Sequence, residues 1–470
     1  GWTLPTRPMA DAPGSYVVIG NAQNNRVLAQ LVSAGLELGL SDLGDEGFRI
    51  FSHEDAGRRL LIIAANTPQG IKHGCQELVF FRLAVTTQVA QVDWPIDVSM
   101  KPQFAYRAIY MLPCWSAHDS IDSWRRVLKF NSELTLNRHW FWLAGFPLLP
   151  EYGGEYAGTD LANVDHVRSL VELCRSEGTR FYIGGGWFTF HHVQAANGSI
   201  ERGARYYLDL FKLLPNAGGL YLEPPGEGYE VSPEVWRAQT LAMQRMMQTI
   251  RRCRPDFEFA LAIGSFNNSD YLDMVHGIDG TNTYWWWCWG DPLRDNALAR
   301  HSLILRWHTV VQMSNYHGST QPPGPAEVPL TGFATSYDPG MGYGNSWNGW
   351  ARMGVDAPRN FDPYTMPYFS HQYLFRERCW NVQLSSEQFA ARMARRLFDA
   401  DMPAQAIQHY LKLAEYCPNP KAASSESLGA IEAFVSAYAG TGTARNRDTL
   451  ERMQEALDGI RSVRGTAPTP

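Results

Sequence analysis

The sequence predicts an α/β protein: a (β/α)8 TIM barrel over residues 101–365, preceded by a small α/β domain (1–100) and followed by a helical C-terminal region (366–470). Three observations predict it. Short apolar runs alternate with amphipathic segments through the middle of the chain, the pattern of repeated strand–helix units. Eight such runs can be counted, the number that closes a barrel. The two flanks differ in character, mixed before residue 100 and helical after 366.

The elements follow in order. The first region reads as strand Tyr16–Gly20, helix Arg26–Leu38, strands Phe48–Ser52 and Leu60–Ala64, and a helix from Thr67 to Leu83. Nothing in it looks catalytic. The barrel strands are expected at Tyr106–Leu112, Leu134–Phe141, Arg180–Gly185, Gly219–Glu223, Glu258–Ile263, Thr281–Trp286, Thr309–Ser314 and Leu330–Ser336. Between them, Ser120–Phe130, Asn163–Glu177, Ile200–Leu214, Pro233–Cys253 and Leu293–Trp307 repeat apolar residues at helical spacing. The last region reads as helices Met366–Arg378, Ser386–Phe398, Pro403–Tyr416, Ser425–Tyr438 and Ala444–Val463, long enough to carry a homodimer contact, with a frayed tail from Thr466.

Composition narrows the function classes. With 470 residues, 45% hydrophobic and 19% charged, the chain can bury a large core. A net charge of −6 supplies no basic footprint for nucleic acid or an anionic membrane surface. No run reaches the roughly 18 apolar residues of a spanning helix, and no signal peptide is read at Gly1, so a soluble protein of undetermined compartment is expected. The seven cysteines show no CxxC spacing, and no HxH or HExxH pattern occurs, so neither a metal site nor a cofactor is expected. GxSxG, Walker and GxGxxG loops are also missing.

The stretch GGLYLEPPGEG (218–228) carries the most chemistry. Leu220, Tyr221 and Leu222 suit a buried parallel strand, and Pro224 and Pro225 end its ladder. Glu223 and Glu227 therefore fall at a strand's C-terminal end, where barrel enzymes keep their reacting groups. Reading the other strand ends the same way collects Asn137, Arg138 and His139; Trp187, His191 and His192; Trp286 and Trp287 with Asp291; Asn315 and His317; and Asp338 with Asn345 and Trp347. Acids with tryptophan point to a carbohydrate, since sugar rings stack on aromatic faces and a protonated carboxyl can deliver a proton to the leaving oxygen. Plainer roles compete at each position. Arg138 suits a structural ion pair equally well, Asp291 precedes a helix start, Asp338 and the asparagines suit turns, and the tryptophans suit core. Tyr284 and Trp286 share one strand face and Trp285 and Trp287 the other, and the pattern does not say which faces inward.

These residues resemble the α-glucuronidases, glycoside hydrolase family 67. TPQGIKHGCQEL (67–78) looks like that family's strand-to-helix segment, in an N-terminal domain like the one preceding hexosaminidase barrels. GGLYLEPPGEG is similar to the segment that ends in the family's general acid, and 332–349 and 378–387 resemble landmarks at the last strand and first C-terminal helices. The resemblance implies that Glu227 is the acid. It also marks departures: Thr283 and Asn315 stand where the family has its two base carboxylates, and Glu223 replaces a lysine beside the substrate's uronate. The expectation is an exo-acting glycoside hydrolase working on an oligo- or polysaccharide, with Glu223, Asp291 or Asp338 as second carboxylate. In the usual substrate-assisted hexosaminidase form an Asp precedes the acid, and here that residue is Gly226. The alternatives are a non-catalytic carbohydrate-binding protein on the same scaffold, an α-glucuronidase proper, or a polysaccharide lyase.

Overall fold

Glycine and proline set the outer limits of the first elements. In the computed structural model, which describes residues 14–111, 113, 120–186, 199–223, 232–262, 277–287, 310–313, 331–337, 367, 370–417 and 419–465, β1 (Gly14–Gly20) leads into α1 (Arg26–Ser33). Asn25 caps this helix, its side chain accepting from the Val27 and Leu28 N–H groups at 2.9 and 3.2 Å. The helix ends five residues before the expected Leu38, because Gly35 takes a φ of +102° and turns the chain out of it.

β2 (Phe48–Asp55) and β3 (Arg58–Ala64) form a hairpin, and β1 lies parallel to β3. The α2 helix (Pro68–Glu77) starts on a Thr67 cap with proline at its first position. It lies close on the sheet: a Cβ at Gly70 would sit 2.5 Å from the Gly47 carbonyl, and one at Gly74 2.6 Å from the Ile63 side chain. Only glycine allows that approach, which accounts for the two glycines of the TPQGIKHG segment. The expected single helix to Leu83 instead passes through a π-helical turn at Leu78–Arg82 into β4 (Leu83–Val85). β4 pairs with β5 (Ala90–Val92), and β6 (Asp97–Met100) completes the sheet order β1-β3-β2-β6. Val18, Leu28, Leu31, Phe51, Leu60, Ile62 and Ala64 make the core between α1 and the sheet.

The chain divides into two compact units. One comprises residues 1–103, 384–411 and 430–453; the other comprises 104–383, 412–429 and 454–470. The helices after residue 366 are shared between the units.

The larger unit is built from β7 (Tyr106–Met111), α3 (Ile121–Glu133), β8 (Arg138–Trp142), α4 (Val164–Ser176), β9 (Arg180–Gly185), α5 (Ile200–Leu213), β10 (Gly219–Leu222) and α6 (Pro233–Cys253). β11 (Glu258–Ala262), β12 (Thr283–Trp287), β13 (Val310–Met313) and β14 (Gly332–Tyr337) follow. Ser120, Asn163, Ser199 and Ser232 cap the four helices in turn. Every strand is parallel to its neighbours, and the eight pair in one closed ring, β14 returning to β7. The result is a mixed α/β architecture around a curled parallel sheet. The expected helix Leu293–Trp307 lies outside the described residues.

One boundary shift decides the reading of the site. The second barrel strand starts at Arg138, not at Leu134. Leu134 caps α3, and Thr135 takes a φ of +59°, so residues 134–135 are a turn and 136–137 lead into the strand.

The chain closes with α7 (Ser370–Trp380), α8 (Ser386–Leu397), α9 (Gln405–Tyr416), α10 (Ser425–Tyr438) and α11 (Ala444–Gly465). Ser385 and Gln388 form a reciprocal capping box on α8.

Candidate active site

Parallel strands put all their starts at one end of the barrel and all their finishes at the other. Arg138, Glu258 and Thr283 open β8, β11 and β12; Met111, Trp142, Gly185 and Leu222 close β7, β8, β9 and β10. Alternation then selects which side chains fill the interior. Trp140 stacks on Tyr221 with ring centres 5.7 Å apart and packs against Trp286 at 5.1 Å, while Tyr106 meets Tyr284 at 4.4 Å. Tyr284 and Trp286 are thus the inward pair.

Two glycines make this aromatic filling fit. A Cβ at Gly184 would sit 2.1 Å from the Tyr221 ring, and one at Gly219 2.5 Å from the Tyr182 ring. The glycines of the 218–222 run and of β9 are therefore packing devices of the interior. Trp286, expected as a sugar platform, is only 1% exposed and packed against Trp140 and Tyr110, so it is core.

The starting end of the barrel is closed by charge. Arg138 meets Glu258 with two hydrogen bonds, Nε to Oε2 at 2.8 Å and Nη2 to Oε1 at 2.9 Å. Their side chains are 13% and 7% exposed. The Tyr182 hydroxyl donates to the same carboxylate, and Arg180 lies 3.6 Å from it. Burial pushes the Glu258 carboxyl up, but the Arg138 guanidinium, with Arg180 and the Tyr182 hydroxyl, outweighs it and holds the carboxyl below its ordinary range. The Arg138 guanidinium also lies 4.2 Å over the Tyr106 ring.

Several expected site residues belong to this end or to the outside of the barrel. Arg138 is the structural ion-pair partner. Asn137 joins it, accepting from Arg138 Nη1 at 2.8 Å and from the Arg107 N–H at 3.0 Å, and donating to the Ala105 carbonyl at 2.9 Å. His139 alternates outward, where it is fully buried with Nδ1 3.6 Å from the Cys174 sulfur. The strand begins at Arg138 and runs on to Trp142, so all three lie at its starting end and not at its finish. Thr283 likewise opens β12, its hydroxyl donating to the Asp279 carbonyl at 2.9 Å and accepting from Arg251 at 3.0 Å. Its identity therefore says nothing about a base at the opposite end.

Glu223 is at the finishing end. Its N–H continues the ladder to the Gly185 carbonyl at 2.9 Å. The Tyr110 hydroxyl donates to Oε1, and Trp142 Nε1 donates to Oε2 at 3.3 Å. Tyr110 comes from β7 and Trp142 from β8, so three strands converge on one carboxylate. Burial, with the negative charge of Glu223 as a smaller contribution, drives the nearby Tyr207 hydroxyl well above its ordinary pKa. Tyr207 donates to the Gly186 carbonyl at 2.5 Å, fixing the end of β9. Tyr110 and Trp142 were not singled out from the sequence. The signal was available in the interior parity of Tyr106, Ala108 and Tyr110 and of Arg138, Trp140 and Trp142, once the strand limits are known.

Glu227, Asp291, Asp338, Trp187, His191, His192, Asn315, His317, Asn345 and Trp347 lie outside the described residues, as does the side chain of Trp287.

No family model matches the chain, and no curated protein matches it in sequence. Among solved structures, the chain resembles a glycoside hydrolase family 20 exo-β-N-acetylglucosaminidase from Vibrio harveyi, solved with N-acetylglucosamine. That likeness has 13% identity and a TM-score of 0.50 over 79% of this chain and 67% of that one. It also resembles CpGH84B, with 10% identity and a TM-score of 0.51 over 93% of this chain and 80% of that one. At such identities the likeness concerns the fold: a glycosidase-like scaffold. It does not single out family 67.

Proposed function

We propose that the chain is an exo-acting glycoside hydrolase, with a complete (β/α)8 barrel and its catalytic pocket at the finishing ends of the strands. The observation that carries the reading is Glu223. On a glycosidase-like fold, a carboxylate oriented by donors from β7 and β8 stands at the end of β10, and GGLYLEPPGEG continues from it to Glu227. Glu227 is the general acid. It protonates the glycosidic oxygen as the bond to the anomeric carbon breaks, while a second carboxylate activates water or attacks that carbon. Glu223, Asp291 and Asp338 are the candidates for the second group. The substrate is an oligo- or polysaccharide, and the tryptophans of the loops after β9, β12 and β14 are its stacking surfaces.

The test is turnover of a panel of aryl glycosides and oligosaccharides by the wild type and by Glu227→Gln. The variant should stay folded and lose about 100- to 10,000-fold in kcat on substrates with poor leaving groups, with a smaller loss on activated aryl glycosides. An unchanged rate removes Glu227 from the acid's role. Saturable binding without products would make the chain a carbohydrate-binding protein on this scaffold. Unsaturated products would make it a lyase, and selective cleavage of glucuronides an α-glucuronidase.

A further inference from the structure

We infer that Trp286 is a sugar-binding residue of the finishing end: its indole N–H is the donor that takes a hydroxyl oxygen of the sugar, while its ring remains core. The inference rests on the glycosidase reading and adds a residue to its site.

Three observations lead there. First, the donor is unspent. Trp140 and Trp142 both use their indole N–H groups, on the Tyr106 hydroxyl at 2.9 Å and on Glu223 Oε2 at 3.3 Å. Trp286 Nε1 is buried with no hydrogen-bond partner among the described residues. A buried tryptophan N–H usually finds a partner, and leaving it unpaired costs stability. Second, the level is right. Trp286 is the penultimate residue of β12, and its ring centre lies 6.3 Å from that of Tyr110, the penultimate residue of β7, whose hydroxyl donates to Glu223. The unspent donor therefore lies in the layer of the interior that borders the candidate pocket. Third, a sugar suits the place better than a water. A buried water is held by about two to four polar partners, whereas among the described residues Trp286 is bordered by the Trp140 ring and, in register on β13, by the fully buried Val311. A sugar hydroxyl can rely on this one bond, because the rest of the ring is held elsewhere in the pocket. The indole N–H only donates, so the group it takes is an acceptor oxygen. The N–H is covered, so a sugar reaches it by displacing the side chains over it, and pairing the donor helps to drive that displacement.

The experiment follows the tryptophan indole N–H signals by NMR while the full chain is titrated with the methyl glycosides of glucose, galactose, mannose and xylose in both anomers, and with the sugar released from any glycan it cleaves. Calorimetry gives each Kd. Trp286→Phe identifies the Trp286 signal. Replacing Trp286 by benzothienylalanine, a ring of the same shape without the N–H, supplies the comparison and stands in if phenylalanine does not pack. With a sugar that binds, the Trp286 N–H proton should move downfield. The benzothienyl protein should bind that sugar about 3- to 10-fold more weakly, while its unfolding midpoint stays level or rises. Binding of a sugar that leaves either the Trp286 signal or the benzothienyl Kd unmoved would overturn the inference and leave the residue as core alone. A wild type that binds none of the probes would instead sink the glycosidase reading, which separates the two failures.

Discussion

The two ends of the barrel each carry a glutamate at a strand boundary, in opposite chemical settings. Glu258 opens β11 and is clasped by a guanidinium on both oxygens, with a second arginine and a tyrosine hydroxyl around it. Glu223 follows β10 and is oriented by a phenol and an indole. A buried carboxylate met by cations has its charge neutralised and its geometry locked, so that removing either partner strands a buried charge. Neutral donors orient a carboxylate and leave its charge in place. The same residue type is thus a bolt at one end and, in the proposed glycosidase reading, a group of the site at the other.

The largest expected effect tests the bolt. Glu258→Ala leaves Arg138 buried beside an empty acceptor and should lower unfolding free energy by about 3–5 kcal/mol, read from denaturant midpoints. A loss below about 1 kcal/mol would break the contrast. Next comes the packing between the ends: Gly184→Ala drives a Cβ to 2.1 Å from the Tyr221 ring and should cost about 1–3 kcal/mol. Tyr110→Phe should cost about 1 kcal/mol of stability, in keeping with one lost hydrogen bond.

A pH series sharpens the comparison further. The Glu258 carboxyl is held below its ordinary value in the folded protein. Its contribution to stability is therefore fully present above the unfolded pKa, about 4.3, and is lost as pH falls through the lower folded value. Urea midpoints should fall as pH drops below about 4 for the wild type. Glu258→Gln should remove part of that slope, and an unaltered slope would show that the carboxyl is not held low.

Much of this organisation was legible in the sequence, and the reasons are specific. Apolar runs such as Tyr106–Leu112 and Arg180–Gly185 gave strands because both faces of a parallel barrel strand are buried. The helix starts were legible because Ser120, Asn163, Ser199 and Ser232 are side-chain caps. The turn at 134–135 was not, since Leu134 and Leu136 are buried apolar residues that read as strand. A positive φ at Thr135 carries no sequence signal in a β-branched residue. Asn137, Arg138 and His139 were read at the strand's finish although the strand runs on to Trp142, and the structure places them at its start. Alternation, which shows that two residues share a face, cannot say which face is interior; the ring contacts of Tyr284 with Tyr106 and of Trp286 with Trp140 decide it.

The most direct test of the account sets the two glutamates against each other: kcat/KM on one neutral glycoside, per folded molecule, for Glu223→Gln and Glu258→Gln. The account predicts a loss of about tenfold or more for Glu223→Gln, and an unchanged value for Glu258→Gln alongside a lower unfolding midpoint. A Glu258→Gln enzyme that remains folded yet loses as much kcat/KM as Glu223→Gln would contradict it, because the chemistry would then not belong to the finishing ends of the strands.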